Sequence, residues 1–430
     1  MQGLQADSSG GGWMEVLVTR CAGLDVHKKS VMAAVRAPGP DGKRLQVVRE
    51  SPTFTRNLVQ LRNWLVSQGV TEVAMEATGV YWQPVWHVLE DMPGVELKLV
   101  NAEHVKNVPG RKTDVSDAAW LAQLLECGLL RGSFIPEPAM ARLRDLTRYR
   151  KKLVEERARE VQRIQKLLET AGIKLDSVAT DIVGKSSRRM LEALIAGERD
   201  PDALAELALT RMRAKLPALR LALEGRFSEH HALMARLYLD HIDHLSEAID
   251  RLDAQVVSET APFAQQIDRL CTIPGMGRRV AEVVIAEIGV DMSRFPTAGH
   301  LASWAGMCPG NHESAGKRRS GRARRGNDDL RTALCEAAWA ASHTKDTYLS
   351  AQYRRFVARF GKSNGGETKA IFAVGHTMLV IIWHVLAHSG NYEELGFDYF
   401  EKRNETEAYK RRLVHQLEKL GLKVTVEPAA

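Results

Sequence analysis

The chain lacks most of what would staple a protein together or fix it in a membrane. Its five cysteines, Cys21, Cys127, Cys271, Cys308 and Cys335, include no CxxC pair. That spacing excludes a zinc ribbon and a disulfide framework and fits a reduced cytoplasm. No signal peptide opens the sequence. The longest apolar run, residues 370–387, carries His376 and His384 and is too short and too polar to read as a membrane span. There is no internal repeat. Nor does one sign of charge dominate: 60 Lys and Arg stand against 53 acidic residues, a net charge of +7. This tilts the reading towards a polyanionic partner, although solubility alone accounts for such an excess equally well.

What is present is a soluble composition, 44% hydrophobic and 26% charged, over 430 residues. That length is too great for one ordinary core and points to about two to four domains. Residues 8–12, Ser-Ser-Gly-Gly-Gly, read as part of a disordered extension. After it, Cys21 to Val26 reads as a strand, His27-Lys28-Lys29-Ser30 as a turn, and Val31 to Val35 as the returning strand. A third strand follows around Leu45 to Val48, beyond the Pro38-Gly39-Pro40-Asp41-Gly42 turn. Leu58, Leu61, Trp64 and Leu65 recur at helical spacing. A strand (Val73 to Glu76), a helix (79–91), a strand (Glu96 to Val100) and a helix from Asp114 to Cys127 complete the segment. Three strands followed by alternating helices and strands predict a ribonuclease-H-like α/β domain with a mixed sheet.

From about Pro138 the pattern becomes helical. Leu143, Leu146, Leu153, Val161, Ile164 and Leu168 form one imperfect stripe; Met234, Tyr238, Ile242, Leu245, Ile249, Leu252 and Val256 form another. Two long amphipathic helices around a helical insert (175–228) read as an antiparallel coiled-coil arm, with a simple helical bundle as the alternative. A compact, mostly helical domain opens at Ile273-Pro274-Gly275-Met276-Gly277 and runs to about His388.

Four carboxylates carry the candidate chemistry. Asp25, in Gly-Leu-Asp-Val-His-Lys, and Glu76, in Met-Glu-Ala-Thr-Gly, end predicted strands; Asp114 and Asp117, three apart, share a helix face. Strand ends in an open α/β sheet border the crevice where ligands bind. Four clustered anions repel one another unless cations neutralise them, and Mg²⁺ or Mn²⁺ prefers such hard oxygen ligands. Two such ions would clamp the attacking and leaving oxygens of a phosphodiester. Taken singly, Asp25 could cap a turn, and Asp114 and Asp117 a helix start.

The segments GLDVHK, MEATGVYW (Met75 to Trp82) and KTDVSDA together resemble the DEDD-type transposases of the insertion-sequence one-ten family, whose N-terminal domain is similar to RuvC-type Holliday-junction resolvases. The resemblance spans nearly the whole chain. It implies that Asp25, Glu76, Asp114 and Asp117 are the metal ligands. It also divides the chain into an N-terminal extension (1–17), a RuvC-like catalytic domain (18–137), a coiled-coil domain (138–267), a C-terminal transposase domain (268–395) and a helical tail (396–430).

In the C-terminal domain, Glu313-Ser314-Ala315-Gly316 precedes six cations within nine residues: Lys317, Arg318, Arg319, Arg322, Arg324 and Arg325. Such a run attracts a DNA backbone and would lower the pKa of a nearby attacking hydroxyl. No aromatic residue interleaves it, which favours backbone contact over base stacking. A solvated basic loop is the plain alternative. The family resemblance implies that Ser314 attacks the DNA phosphate and forms a phosphoserine link, with Ser320, inside the cationic run, the poorer match. Gly275 and Gly277, with Arg278 and Arg279, resemble a helix-hairpin-helix loop offering backbone N–H groups to a phosphate, against the alternative of a tight helix–helix turn.

His230, His231, His241 and His244 lie on the predicted arm without partners at zinc spacing and read as polar surface. Tyr81, Trp82 and Trp86 read as packing a helix onto the sheet. The expected activity is DNA strand breakage and rejoining. A Holliday-junction nuclease using metal-activated water, and a non-catalytic nucleic-acid-binding host factor, are the rival readings. Because the carboxylates and the serine lie on separate domains, an active site assembled between subunits is expected. The resemblance further implies double-stranded DNA at element ends and target as substrate, a structured guide (bridge) RNA, and a homo-oligomer from dimer to tetramer.

Overall fold

The computed structural model describes residues 16–39, 43–77, 79–101, 105, 117–310, 312–314, 317–361, 365–404 and 407–426. The expected disorder of the N-terminal extension therefore concerns residues that lie almost entirely outside this range. The chain divides into two compact units, one up to Ile135 and one from Pro136 onward.

The first unit is built on a mixed five-stranded sheet in the order β3-β2-β1-β4-β5. Strands β1 (Cys21–Val26), β2 (Ser30–Pro38) and β3 (Arg44–Pro52) form an antiparallel meander. The first hairpin closes where the His27 amide donates to the Ser30 carbonyl at 2.9 Å. After α1 (Thr55–Ser67), strand β4 (Glu72–Glu76) enters parallel to β1. After α2 (Trp82–Leu89), strand β5 (Glu96–Val100) enters parallel to β4. Each parallel entry follows a helix because the chain must return to the sheet's starting edge before it can run the same way again. Helix α3 (Asp117–Glu126) follows; the first residues of the longer helix expected from Asp114 lie outside the described range.

Two cores flank the sheet. On one face Leu58, Leu61 and Leu65 of α1 and Val85 and Leu89 of α2 pack on Leu24, Val31, Val73 and Met75. On the other, Leu121, Leu124 and Leu125 of α3 pack on Cys21, Ala74 and Val100, and the small residues Ala118, Ala119 and Ala122 fit against Ala34. Trp82 and Trp86 border the first core, edge to face at 6.1 Å. Tyr81 departs from the sequence expectation in that it precedes the helix, as its N-cap residue, and is 40% exposed.

In the second unit, α4 (Pro138–Thr170) and α9 (Glu229–Thr260) are the long helices, and they pack together as an antiparallel pair. The register is legible in its contacts: Arg142 with Glu259 (3.8 Å), Arg150 with Asp253 (3.0 Å), Arg157 with Ser246 (2.9 Å) and Thr170 with His231 (3.4 Å). Between the two come α5 (Leu175–Val178), α6 (Lys185–Ile195), α7 (Pro201–Glu206), a 3-10 turn (Thr210–Lys215) and α8 (Leu216–Leu223). These fold back onto the outer ends of the pair, sharing a core with Ile164, Leu168, Ala235, Leu239 and Ile242. Their packing explains one departure from the sequence pattern. The first buried positions of α9 are Ala235 and Leu239, not Met234 and Tyr238, because the insert covers a face that a simple two-helix seam would leave open.

The remainder is helical: α10 (Ala264–Cys271), α11 (Arg278–Ile288), α12 (Ala298–Trp304), α13 (Asp328–His343), α14 (Tyr348–Phe360), α15 (Gly366–Ala387), α16 (Tyr399–Asn404) and α17 (Glu407–Lys419). A short hairpin, β6 (His312–Ser314) and β7 (Lys317–Ser320), interrupts the helices. The apolar run near the C-terminus is α15. It is long and apolar enough to cross a membrane, yet half of its most apolar stretch is buried within the fold. Ala370, Val374, Met378, Leu379 and Ile382 form its core face, and His376 Nδ1 lies 3.0 Å from the Met307 carbonyl oxygen. These are the marks of a central core helix.

Candidate active site

Period-two alternation decides which side of the sheet each residue meets. In β1, Ala22, Leu24 and Val26 enter the core beneath α1 and α2, so Cys21, Gly23 and Asp25 turn to the face that α3 covers. In β4, Val73 and Met75 take the first face, leaving Ala74 and Glu76 on the second. The two strands are parallel neighbours with Leu24 opposite Met75. Asp25 and Glu76, each one residue further along, therefore stand side by side at the carboxyl ends of two central strands, on one face.

Helix α3 approaches this face closely because position 23 has no side chain. A Cβ on Gly23 would lie 2.2 Å from the Ala118 carbonyl oxygen and 2.4 Å from the Ala122 nitrogen. The helix runs antiparallel to β1. Ala118 and Ala122 sit over Gly23, the Cys21 thiol donates to the Ala122 carbonyl at 3.3 Å, and the Glu126 carbonyl accepts from the amides of Leu17 and Val18. Its first residue, Asp117, thus lies at the same end of the sheet as Asp25 and Glu76. His27 Nε2 lies 3.1 Å from Asp25 Oδ2.

The structure brings Asp25 and Glu76 to adjacent strand ends and Asp117 to the helix start nearest them. It does not close them into a cage: among the described residues no group of three or more His, Cys, Asp or Glu could hold a metal ion. Asp114 lies outside the described residues. The donor set is of the hard-oxygen kind that suits Mg²⁺ or Mn²⁺.

The far end of α3 carries a cluster that sequence reading missed. Glu126, almost fully buried, accepts from Arg36 Nε at 3.0 Å and Arg44 Nε at 2.6 Å, joining the helix to β2 and β3. Two arginines on an alternating strand pair look like an exposed face in sequence; only the third element, 82 residues on, reveals their partner. Next to it, burial first and Glu126 second push the Cys21 thiol up to about 12.

In the second unit Ser314 ends β6, paired with Lys317 at the start of β7, so the serine backbone stands directly across from the first residue of the cationic run. Arg322, Arg324 and Arg325 continue that run and are exposed. Lys317, Arg318 and Arg319 belong to β7. Both stems of the hairpin are anchored. A Cβ on Gly326 would lie 2.4 Å from Ala305 O and from Gly306 N, and Gly306 itself adopts φ +67°. The two backbones therefore cross where no side chain fits. Asn327 then caps α13, its Oδ1 accepting from the Leu330 amide at 2.9 Å, while its Nδ2 donates to Glu287 Oε2 at 2.6 Å.

Glu287 is fully buried and holds more than Asn327. Arg148 grips it with two bonds of 2.7 and 2.9 Å, and Arg144 approaches at 3.3 Å while also donating to the carbonyls of Ala286 and Glu287. One turn and a half earlier on α11, buried Glu282 meets Arg150 at 3.3 Å and Arg278 at 3.1 Å. Thus Arg144, Arg148 and Arg150 link α4 to α11.

At the glycine-rich loop, α10 is followed by a turn with Gly275 at φ +82° and then by α11, capped at Gly277. The two glycines differ. A Cβ on Gly275 would lie 2.3 Å from Ala337 O, so it serves close packing on α13. Gly277 is exposed with open space around it. Arg279 bonds Asp253 at 2.7 Å, and Arg278 pairs with Glu282. Of the four arm histidines, His241 reaches buried Glu160 at 3.3 Å, and His231 completes the capping box of α9 with Ser228.

Two family profiles match the chain. The DEDD transposase profile of the IS110 group, described as "Transposase", matches residues 22–173. A second, described as "Transposase IS116/IS110/IS902 family", matches residues 267–354. Together they cover more than half of the chain. Among curated relatives, the pilin gene-inverting protein of Moraxella bovis is 29% identical over 160 residues, 36% of this chain and 48% of that protein. The chain thus spans about half the length of that relative. A transposase-named protein of Sinorhizobium fredii, y4rJ, is 26% identical across 69% of this chain and 72% of its own length. An uncharacterized insertion-element IS110 protein of Streptomyces coelicolor is 33% identical over 29% of each chain. With Asp25, Glu76 and Asp117 inside the first matched segment and Ser314 inside the second, the chain belongs to the IS110 family of insertion-sequence transposases.

Proposed function

We propose that this protein is the recombinase of an insertion sequence, cutting and rejoining DNA strands with a carboxylate-held divalent metal and a serine nucleophile. The observation that carries the reading is the pair Asp25 and Glu76, side by side at the ends of parallel strands on the face that α3, with Asp117, covers. Asp114 completes the ligand set. The first unit is a ribonuclease-H-like, RuvC-like domain, and the arm and C-terminal domain follow with the boundaries given above. Both matched segments and the inverting function named for the Moraxella relative support recombination on DNA.

Bound between those carboxylates, a divalent ion would offset the charge of the scissile phosphate and lower the pKa of an attacking hydroxyl. The chain's own part begins with Ser314. Its oxygen attacks phosphorus, the bond to the leaving strand breaks, and that strand departs with a free hydroxyl end. The phosphoserine ester keeps the energy of the broken bond, so attack by another strand's hydroxyl rejoins DNA and returns the serine without an outside energy source. The run from Lys317 to Arg325 holds the phosphates, as do the N–H groups at Gly277 with Arg278 and Arg279. The reaction requires the carboxylates and the serine at one phosphate; a homo-oligomer, from dimer to tetramer, supplies them, with a structured guide RNA selecting the sites. The protein acts in the cytoplasm on chromosomal or element DNA.

The test is a trapped adduct. With element-end DNA and Mg²⁺, the native chain should leave a denaturation-resistant protein–DNA species whose mass maps to Ser314, and Ser314→Ala should leave none. Cleavage that persists in Ser314→Ala without any adduct would instead indicate a junction nuclease using activated water. DNA binding that is unchanged in Asp25→Ala, with neither cleavage nor adduct in the native chain, would indicate a non-catalytic binding factor.

A further inference from the structure

The cationic run beside Ser314 has no aromatic residue, but another surface of the second unit combines the two. Helix α14 reads Tyr353-Arg354-Arg355-Phe356-Val357-Ala358-Arg359-Phe360, and its last six residues lie beyond the segment that the second family profile matches. Leu349, Ser350 and Gln352 are buried, whereas Arg354, Arg355, Arg359 and Phe360 face outward. We propose that this outer face of α14 binds unpaired nucleotides, its three arginines meeting phosphates and Phe360 stacking on a base.

Three observations carry the proposal. First, the arginines lack carboxylate partners: none of the three makes an ion pair with a described residue, in contrast to Arg144, Arg148 and Arg150 of α4. Among the described residues Arg354 reaches Ser350 Oγ at 3.4 Å, Arg355 lies over the Phe400 ring at 5.0 Å and Arg359 over the Phe360 ring at 5.9 Å. The neighbouring Glu394 is engaged elsewhere, accepting from the Tyr348 amide at 2.7 Å and from the Tyr392 hydroxyl at 3.2 Å. Arg359 stands in the last turn, where any cation offsets the helix dipole, but Arg354 and Arg355 are mid-helix and have no such explanation.

Second, the aromatic rings are ordered for stacking. Phe356 and Phe360 are near-parallel, 11° apart with centroids 5.8 Å apart, and Phe360 is 39% exposed. Third, the pattern selects its partner. A duplex buries its base faces and offers only phosphates and groove edges, so an exposed ring among arginines that no described carboxylate neutralises gains most from a strand whose bases are free. Such a strand could be a loop of RNA or melted DNA; the chemistry is the same.

The test uses the full chain in EDTA, where no strand exchange interferes, and measures fluorescence anisotropy with a single-stranded DNA, the same sequence as RNA, an abasic strand of equal length, and a duplex. Phe360→Ala should weaken binding of the base-bearing strands by about tenfold and leave the abasic strand and the duplex unchanged; Phe360→Trp should restore it. Arg354→Gln with Arg355→Gln should weaken base-bearing and abasic strands alike and flatten the salt dependence. A preference for the ribose or deoxyribose strand identifies the natural source. If Phe360→Ala changes nothing, or weakens the abasic strand equally in a protein that melts like the native chain, the proposal is wrong. An Arg322→Ala, Arg324→Ala and Arg325→Ala variant that loses the duplex but keeps the base dependence separates this surface from the cationic run beside Ser314.

Discussion

Gly23 shows how much one missing methyl group decides. It lets α3 settle onto β1 with backbone against backbone, which sets Asp117 at the end where Asp25 and Glu76 emerge. Gly23→Val should therefore force the helix outward, destabilising the protein by about 1–3 kcal/mol or more and reducing activity beyond the loss of folded protein. Thermal unfolding beside strand exchange per folded molecule checks this. Cys21, two residues earlier, is sealed under the same helix with its thiol pushed up to about 12. Iodoacetamide at neutral pH should label exposed Cys271 in the native chain and Cys21 only after unfolding, read by peptide mass. Rapid native labelling of Cys21 would mean that α3 is not seated on the sheet.

At the scale of elements, the strands were legible because alternation and turn residues act locally: β5 begins and ends where its sequence pattern does, and the first hairpin turns at His27 to Ser30. Asp25 and Glu76 could be singled out for the same reason, since strand ends are visible in sequence. Long-range charge pairing was not legible. Arg144, Arg148 and Arg150 sit on α4 among other basic residues, and only folding shows them facing Glu282 and Glu287 more than 130 residues away. Glu287→Ala would leave Arg144 and Asn327 facing an empty buried site, and should cost about 3–5 kcal/mol. Glu287→Gln should cost less, because the amide oxygen still accepts. Chemical denaturation of the three proteins checks the order. Loss of Glu287 also frees the Asn327 stem, so adduct formation at Ser314 should fall in Glu287→Gln more than its stability does.

For the whole molecule, the proposed chemistry is divided between the two units: the first carries Asp25, Glu76 and Asp117 and the second Ser314 and its cations. A net charge of +7 is too small to supply the proposed DNA affinity by itself. Local cation runs have to supply it, so binding should weaken steeply with salt. The central claim concerns the carboxylates at the strand ends. Its most direct measurement is Mn²⁺-supported strand exchange on element-end DNA, with DNA binding followed in parallel, for the native chain, Asp25→Asn and Glu76→Gln. The account predicts that both variants bind DNA as the native chain does and lose strand exchange. Native-level exchange in either variant would contradict it.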